Sequence, residues 1–261
     1  SSDVCSSDLA VGKNVRTFKV GDPVYAYCRK PVVHEGTYAE FVAFDAMHVA
    51  KKPSNISFGE AAAIPLAALT AWQALFDFAH LKKGQSILIH AGAGGVGSFA
   101  IEFAKHAGAE VFTTCSEKNN PYVKKLGADH VIDYRATDFR EEVLKLTGGR
   151  GVDRVYDPVG GDVFTQSLRC MAVGGRICPI GFASGTIPQV PANILLVKTI
   201  AELNMAKTGT LYMLLEFIGN PITAMFIAVF VAYFVLGIRQ NMGMATLLTH
   251  TEKGFGSIAN I

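Results

Sequence analysis

The feature that most constrains this chain is the run His90-Ala91-Gly92-Ala93-Gly94-Gly95-Val96-Gly97. Glycines 92, 94 and 97 have the spacing G-x-G-x-x-G. Alone, that spacing is common. Here it follows Ser86–Ala91, which reads as a strand. It opens a segment with Val96, Phe99, Ala100, Phe103 and Ala104 on one helical face. In that setting Gly92 is expected to allow a tight turn, Gly94 to let the backbone approach a pyrophosphate, and Gly97 to let the helix pack closely on the sheet. The N–H groups and dipole of the helix start then favour an anion.

Downstream, strands and helices alternate. Glu110–Thr114, His130–Tyr134, Val152–Asp157 and Gly175–Ile180 read as further strands. Between them lie helices starting near Pro121, Asp138 and Asp162, the first two stopping at Gly127 and at Gly148-Gly149. Helices of this length between strands imply a parallel sheet with right-handed crossovers.

The end of the second strand bears on which dinucleotide is held. An NAD site usually places Asp or Glu there for the ribose hydroxyls. This chain has Thr114-Cys115-Ser116-Glu117-Lys118. Ser116 can donate to a phosphate and Lys118 supplies positive charge, with Glu117 expected off the strand end. The pattern favours NADPH over NADH.

Ahead of the loop, residues 65–84 read as one helix stopped by Gly84. Residues 10–64 read as short strands: Val15–Val20 leading into the turn Gly21-Asp22-Pro23, then Val24–Tyr27, then the alternating run Gly36–Ala43. Residues 1–9 repeat a Ser-Ser-Asp theme without apolar period. They look like a translated adapter read and are set aside from fold reasoning, as a polar end without structure. No secretory signal pattern is visible.

Composition shifts sharply along the chain. Of its 46 charged residues only seven lie from Lys198 onward, and Phe217–Ile238 carries none over about 22 residues. That run is long enough to cross a hydrocarbon core of roughly 30 Å. The net charge of +2, without a basic stripe, argues against a nucleic-acid partner. The five cysteines are scattered with no CxxC pair, which argues against a disulfide framework and a cysteine-rich zinc lobe. A reducing compartment fits.

The motifs together resemble the medium-chain dehydrogenase/reductase family, in its zinc-independent quinone-oxidoreductase branch. The resemblance is carried over residues 10–197 by Val20–Ala26, Gly36–Glu40, Ile64–Leu75, the glycine loop, Leu126–Asp129 and Asp157–Gly161. From about Lys198 the chain resembles gluconate permease-type transporters instead, through Phe217–Pro221 and Thr246–Phe255. The implied fold class is α/β. A truncated GroES-like β domain (10–64) precedes an incomplete Rossmann doubly wound parallel sheet (65–197), and a hydrophobic helical tail (198–261) follows. The start of the family's catalytic domain is not represented. The chain reads as a chimera, with a membrane-anchored reductase as the alternative.

The resemblance also implies roles. Thr70 would sit by the nicotinamide as the catalytic-site residue. Ala93, Gly94, Gly95 and Val96 would cradle the pyrophosphate within a cofactor-binding loop bounded by Gly92 and Gly97, and Ser116 and Lys118 would face the 2′-phosphate. Tyr134 would lie against the adenosine end, and Pro158, Ile180, Gly181 and Phe182 would line the nicotinamide side. No zinc is expected, since His34-Glu35, the only His-Glu pair, sits in the short loop after the Gly-Asp turn. The expected substrate is a small quinone or enone. The resemblance implies a homodimer of the kind common in the parent family. The reductase part would be cytoplasmic, with membrane contact through Phe217–Ile238. A non-catalytic nucleotide-binding remnant and a transporter fragment stay open beside the reductase.

Overall fold

The structure is a computed structural model that describes residues 10–29, 36–191 and 194, together with the backbone of residues 3–7. The chain divides into two units, Ser1–Gln189 and Val190–Ile261. Both sheets and the helices that connect their strands belong to the first unit. The expected tail (198–261), its apolar run Phe217–Ile238 and the pair His34-Glu35 lie outside the described residues. Among the described residues no helix is long and apolar enough to cross a membrane.

The first unit opens with a small antiparallel sheet of β1 (Asp3–Ser7), β2 (Pro23–Tyr27) and β3 (Val49–Lys51), in the order β1-β2-β3. The turn expected before β2 forms: Gly21 takes a left-handed φ of 89°, and Asp22 accepts from the Lys19 N–H and pairs with Lys51 at 3.1 Å. Two expectations fail here. Residues 3–7, set aside as structureless, pair along β2 from Asp3↔Tyr27 to Ser7↔Pro23. Strand pairing uses backbone groups, so a polar sequence can supply it. Conversely, Gly36–Ala43 forms no strand, and Tyr38 and Phe41 stand exposed. Both edges of β2 are already taken by β1 and β3. A period of two favours a strand only where a neighbouring edge can accept its hydrogen bonds.

Two helices lead out of this sheet. Helix α1 (Phe58–Ala62) starts on a capping box, in which Ser57 and Glu60 satisfy each other's backbone N–H. Helix α2 (Pro65–Trp72) begins with proline in its first turn and widens into a π-helical turn over Gln73–Phe78. It therefore ends before the expected Gly84. His80, at φ 50°, turns the chain left-handed, and Gly84 serves the following turn instead.

The parallel sheet contains β4 (Ser86–Ile89), β5 (Glu110–Cys115), β6 (His130–Asp133), β7 (Val152–Asp157) and β8 (Met171–Pro179), in the order β6-β5-β4-β7-β8. Helices α3 (Gly95–His106), α4 (Asn120–Lys125), α5 (Phe139–Leu146) and α6 (Gly161–Arg169) connect these strands. Every residue of the central strand β4 is buried, as a strand covered on both faces requires. On one face Ile87, Ile89, Val111 and Tyr156 pack with Ala71 and Leu75 from the α2 segment and Ala100, Ile101 and Ala104 of α3. α5 and α6 cover the other face, burying Phe139, Val143, Phe164 and Leu168.

β8 begins at Met171 rather than at the expected Gly175, after α6 has stopped at Arg169. Its register with β7 shifts between Val152 and Arg154, so the strand starts early across an irregularity. Helix α5 begins where Asp138 suggested. The Asp138 carboxylate accepts from the Arg140 and Glu141 N–H groups. Asp138→Ala is expected to lower stability by about 1 kcal/mol, the usual cost of losing such a cap. A denaturant midpoint unchanged from wild type would show that the cap contributes nothing.

Candidate functional site

The sheet reverses its winding between β4 and β7. A ligand crevice forms outside the carboxyl ends of the strands at such a switch point. The glycine loop leaves β4 there. Ala91 takes φ 52°, a left-handed conformation unusual for a residue with a Cβ. The tight turn expected at Gly92 is thus made by Ala91. Gly92 is needed for a different reason: a Cβ on it would run into Thr113 Oγ1 and come within 2.9 Å of Ile101 Cδ1. Gly97 lets the start of α3 approach the loop itself, since its Cβ would meet the Ala91 carbonyl oxygen and lie 2.9 Å from Gly92 Cα.

Gly94 is the N-cap of α3, and its N–H donates to Ala91 O at 2.9 Å. Ser98 returns both its N–H and its hydroxyl to Gly94 O. Among the described residues the N–H groups of Ala93, Gly95, Val96 and Gly97 have no acceptor. A Cβ on Gly95 would meet nothing within 4 Å. Unpaired donors at the start of a twelve-residue helix, beside open space, fit a pyrophosphate.

Beyond β5, Ser116 is largely covered, and its hydroxyl oxygen accepts from Asn119 Nδ2 at 3.3 Å. Its own proton stays available to a phosphate. Glu117 starts a short 3-10 turn, off the strand end, as expected. Lys118 is exposed and makes no ion pair among the described residues. β6 is in register with β5 up to Cys115↔Asp133, so Tyr134 and Arg135 follow the same end of the adjacent strand. Tyr134 is about half exposed, and the Arg135 guanidinium lies over its ring at 5.7 Å. Arg135 did not emerge from the sequence. The signal available was a second cation directly after an aromatic residue at a strand end.

The third part lies beyond β7 and β8. Asp157, fully buried, accepts the N–H groups of Val159 and Gly160 on Oδ1 at 2.8 and 3.0 Å. Burial pushes its carboxyl above the usual range, against those two hydrogen bonds. The loop after β8 zips onto this one: Ile180 N donates to Asp157 O, Ala183 N to Pro158 O and Ser184 N to Val159 O. Gly181 approaches Pro158 so closely that a Cβ would sit 3.2 Å from its carbonyl oxygen. A Cβ on Gly160 would lie 2.8 Å from the Phe182 ring. Pro158, Ile180, Gly181 and Phe182 are therefore one cluster, and the His90 N–H bond to Tyr156 O joins it to the glycine loop.

Thr70 lies in α2. Its hydroxyl donates to Leu66 O at 2.8 Å, one turn back in its own helix. Among the described residues no group of three His, Cys, Asp or Glu side chains is placed to hold a metal ion.

Comparison with known proteins separates the chain into two parts. Residues 95–218 match the family model for zinc-binding dehydrogenases, and residues 178–261 match the model for GntP family permeases. The quinone oxidoreductase-like protein 2 homolog of Nematostella vectensis is 36% identical over 205 residues, 78% of this chain and 55% of that protein. The solved quinone oxidoreductase of Escherichia coli, complexed with NADPH, superposes with a TM-score of 0.67 at 34% identity, over 75% of this chain and 59% of that one. Over 72 residues the chain is 76% identical to the D-serine transporter DsdX of Escherichia coli strain K12, which is 28% of this chain and 16% of the transporter. The chain thus spans about half the length of the curated reductase it matches. It carries a zinc-binding dehydrogenase domain of the medium-chain dehydrogenase/reductase family, with quinone oxidoreductases among its relatives, joined to a stretch that matches GntP permeases.

Proposed function

We propose that the reductase part binds NADPH across the carboxyl ends of β4, β5 and β7 and passes its hydride to a quinone or an activated alkene or carbonyl. The observation that carries this reading is the set of unpaired N–H groups at the start of α3, at the switch point of the sheet. Ala93, Gly94, Gly95 and Val96 hold the pyrophosphate, and Gly92 and Gly97 allow the close packing that aims the helix at it. Ser116 donates to the 2′-phosphate and Lys118 neutralises it. Tyr134 lies against the adenosine. Pro158, Ile180, Gly181 and Phe182 form one wall for the nicotinamide. When bound, NADPH supplies the hydride, and the protein's part is orientation. Thr70 contributes beside the nicotinamide once its hydroxyl leaves Leu66 O. The reading takes no zinc, because the chain lacks a cysteine-rich lobe. It puts the reductase part in the cytoplasm, leaving membrane contact to the apolar run at 217–238.

The test is turnover. Reduced-nicotinamide absorbance should fall when a quinone is added to chain and NADPH, faster than with NADH. A second reading rests on Thr70, whose hydroxyl is spent on its own helix: a domain that binds NADPH without reducing anything. Saturable binding with no absorbance loss for any quinone or enone would favour that second reading. Lys118→Ala should weaken NADPH binding about tenfold, the effect of losing one charge-assisted contact worth ~1.4 kcal/mol, with NADH nearly unchanged. Equal losses for both nucleotides would mean that Lys118 is only a solvated surface lysine.

A further inference from the structure

His90 is the last residue before the loop and is 2% exposed. Its ring makes two hydrogen bonds to side chains, with Nδ1 3.0 Å from Thr114 Oγ1 and Nε2 2.8 Å from Ser167 Oγ. The Phe139 ring packs against it nearly at right angles, at 4.7 Å between centroids. The protons can be assigned by elimination. Ser167 spends its hydroxyl proton on Val163 O at 2.7 Å, one turn back in α6. Its oxygen must therefore accept, so Nε2 carries the imidazole proton. Nδ1 is then an acceptor, and Thr114 donates to it. The Thr114 oxygen in turn faces the Ala91 N–H at 3.4 Å, and the Thr114 carbonyl accepts the Gly92 N–H at 3.1 Å.

Ala91 is where this chain of bonds ends and where the loop turns. Its left-handed φ costs roughly 1 kcal/mol or more for a residue with a Cβ, so something must hold it. Its carbonyl accepts the Gly94 N–H and faces Gly97. The direction of the α3 N–H groups therefore depends on the Ala91 peptide.

We propose that His90 is a positioning residue for nucleotide binding, acting through the Thr114 hydroxyl to hold Ala91 left-handed and so to aim the N–H groups at the start of α3. The inference rests on the NADPH reading above. It assigns different work to the two ring nitrogens. Nδ1 orients the loop, whereas Nε2 ties β4 to α6 and serves stability alone.

Two substitutions separate these roles. In His90→Asn the side-chain oxygen can occupy the place of Nδ1 and keep the Thr114 bond, losing Ser167. In His90→Gln the amide can reach Ser167 but no longer accepts from Thr114. Calorimetric titration of NADPH into the full chain should give His90→Asn an affinity within about twofold of wild type. It should give His90→Gln a loss of about tenfold, which is ~1.4 kcal/mol. Thermal midpoints of both should fall together. Thr114→Val should repeat the tenfold loss and Thr114→Ser should restore binding, which keeps the test in force if a His90 variant fails to fold. Equal affinity losses in Asn and Gln variants, or a Thr114→Val protein that binds as wild type, would overturn the proposal while leaving the NADPH reading intact. A wild-type chain that does not bind NADPH would overturn both.

Discussion

Gly97→Ala is expected to weaken NADPH binding about a hundredfold, the loss of about two charge-assisted N–H contacts worth ~1.4 kcal/mol each. The added methyl would meet the Ala91 carbonyl oxygen and, at 2.9 Å, Gly92 Cα. Both are backbone atoms and cannot swing aside as the end of a side chain can. The start of α3 must therefore move away from the loop, at a cost of about 1–3 kcal/mol in stability. Gly95→Ala is the control for folding, because its methyl enters open space and its φ is not left-handed. Its thermal midpoint should stay at or above that of wild type, since alanine favours a helix over glycine by up to ~1 kcal/mol. Titration calorimetry and thermal unfolding on both variants check the pair. A Gly97→Ala protein with wild-type affinity would remove the case for the loop as the binding element.

Acid should destabilise the chain through His90. Burial holds the His90 imidazole down at about 3, against 6.5 for a free histidine. The unfolded chain therefore takes up a proton that the folded chain refuses. The stability that neutral His90 contributes is complete above pH 6.5 and is lost as pH falls toward 3. By pH 5 the loss is about 2 kcal/mol. Asp129, held below its usual range by Lys105 and the Val111 N–H against its own burial, acts in the same direction only at more acidic pH. Asp157, raised by burial, acts oppositely. The difference between wild type and His90→Asn isolates the histidine. Denaturant unfolding at pH 7 and pH 5 should show wild type losing about 2 kcal/mol more than the variant. Equal losses would mean that His90 is protonated in the folded chain.

Most of the parallel sheet was legible because its signals are local. The apolar run at 87–89, the glycine loop, the periodic face of α3 and the cap of α5 at Asp138 each declare one element without reference to the rest of the chain. Where a residue's role depended on a partner distant in sequence, the reading was incomplete. Gly92 seemed to be the turn residue. Only the packing of Thr113 and Ile101 shows why a side chain cannot stand there, and Ala91 takes the turn. The role of His90 was not legible, because its partners Thr114 and Ser167 lie 24 and 77 residues away. The run Gly36–Ala43 failed in the opposite sense. It has the period of a strand, but among the described residues no strand pairs with it.

The candidate site divides in the same way. The cluster of Pro158, Ile180, Gly181 and Phe182 is brought together by hydrogen bonds between two loops. Thr70 is tied to its own helix, so its part in the chemistry rests on the resemblance alone.

The most direct test of the account is titration of the intact chain with NADPH and, separately, with NADH, followed by calorimetry. The account predicts saturable binding at one site per chain, with NADPH the tighter ligand. Absence of binding, or tighter binding of NADH, would contradict it.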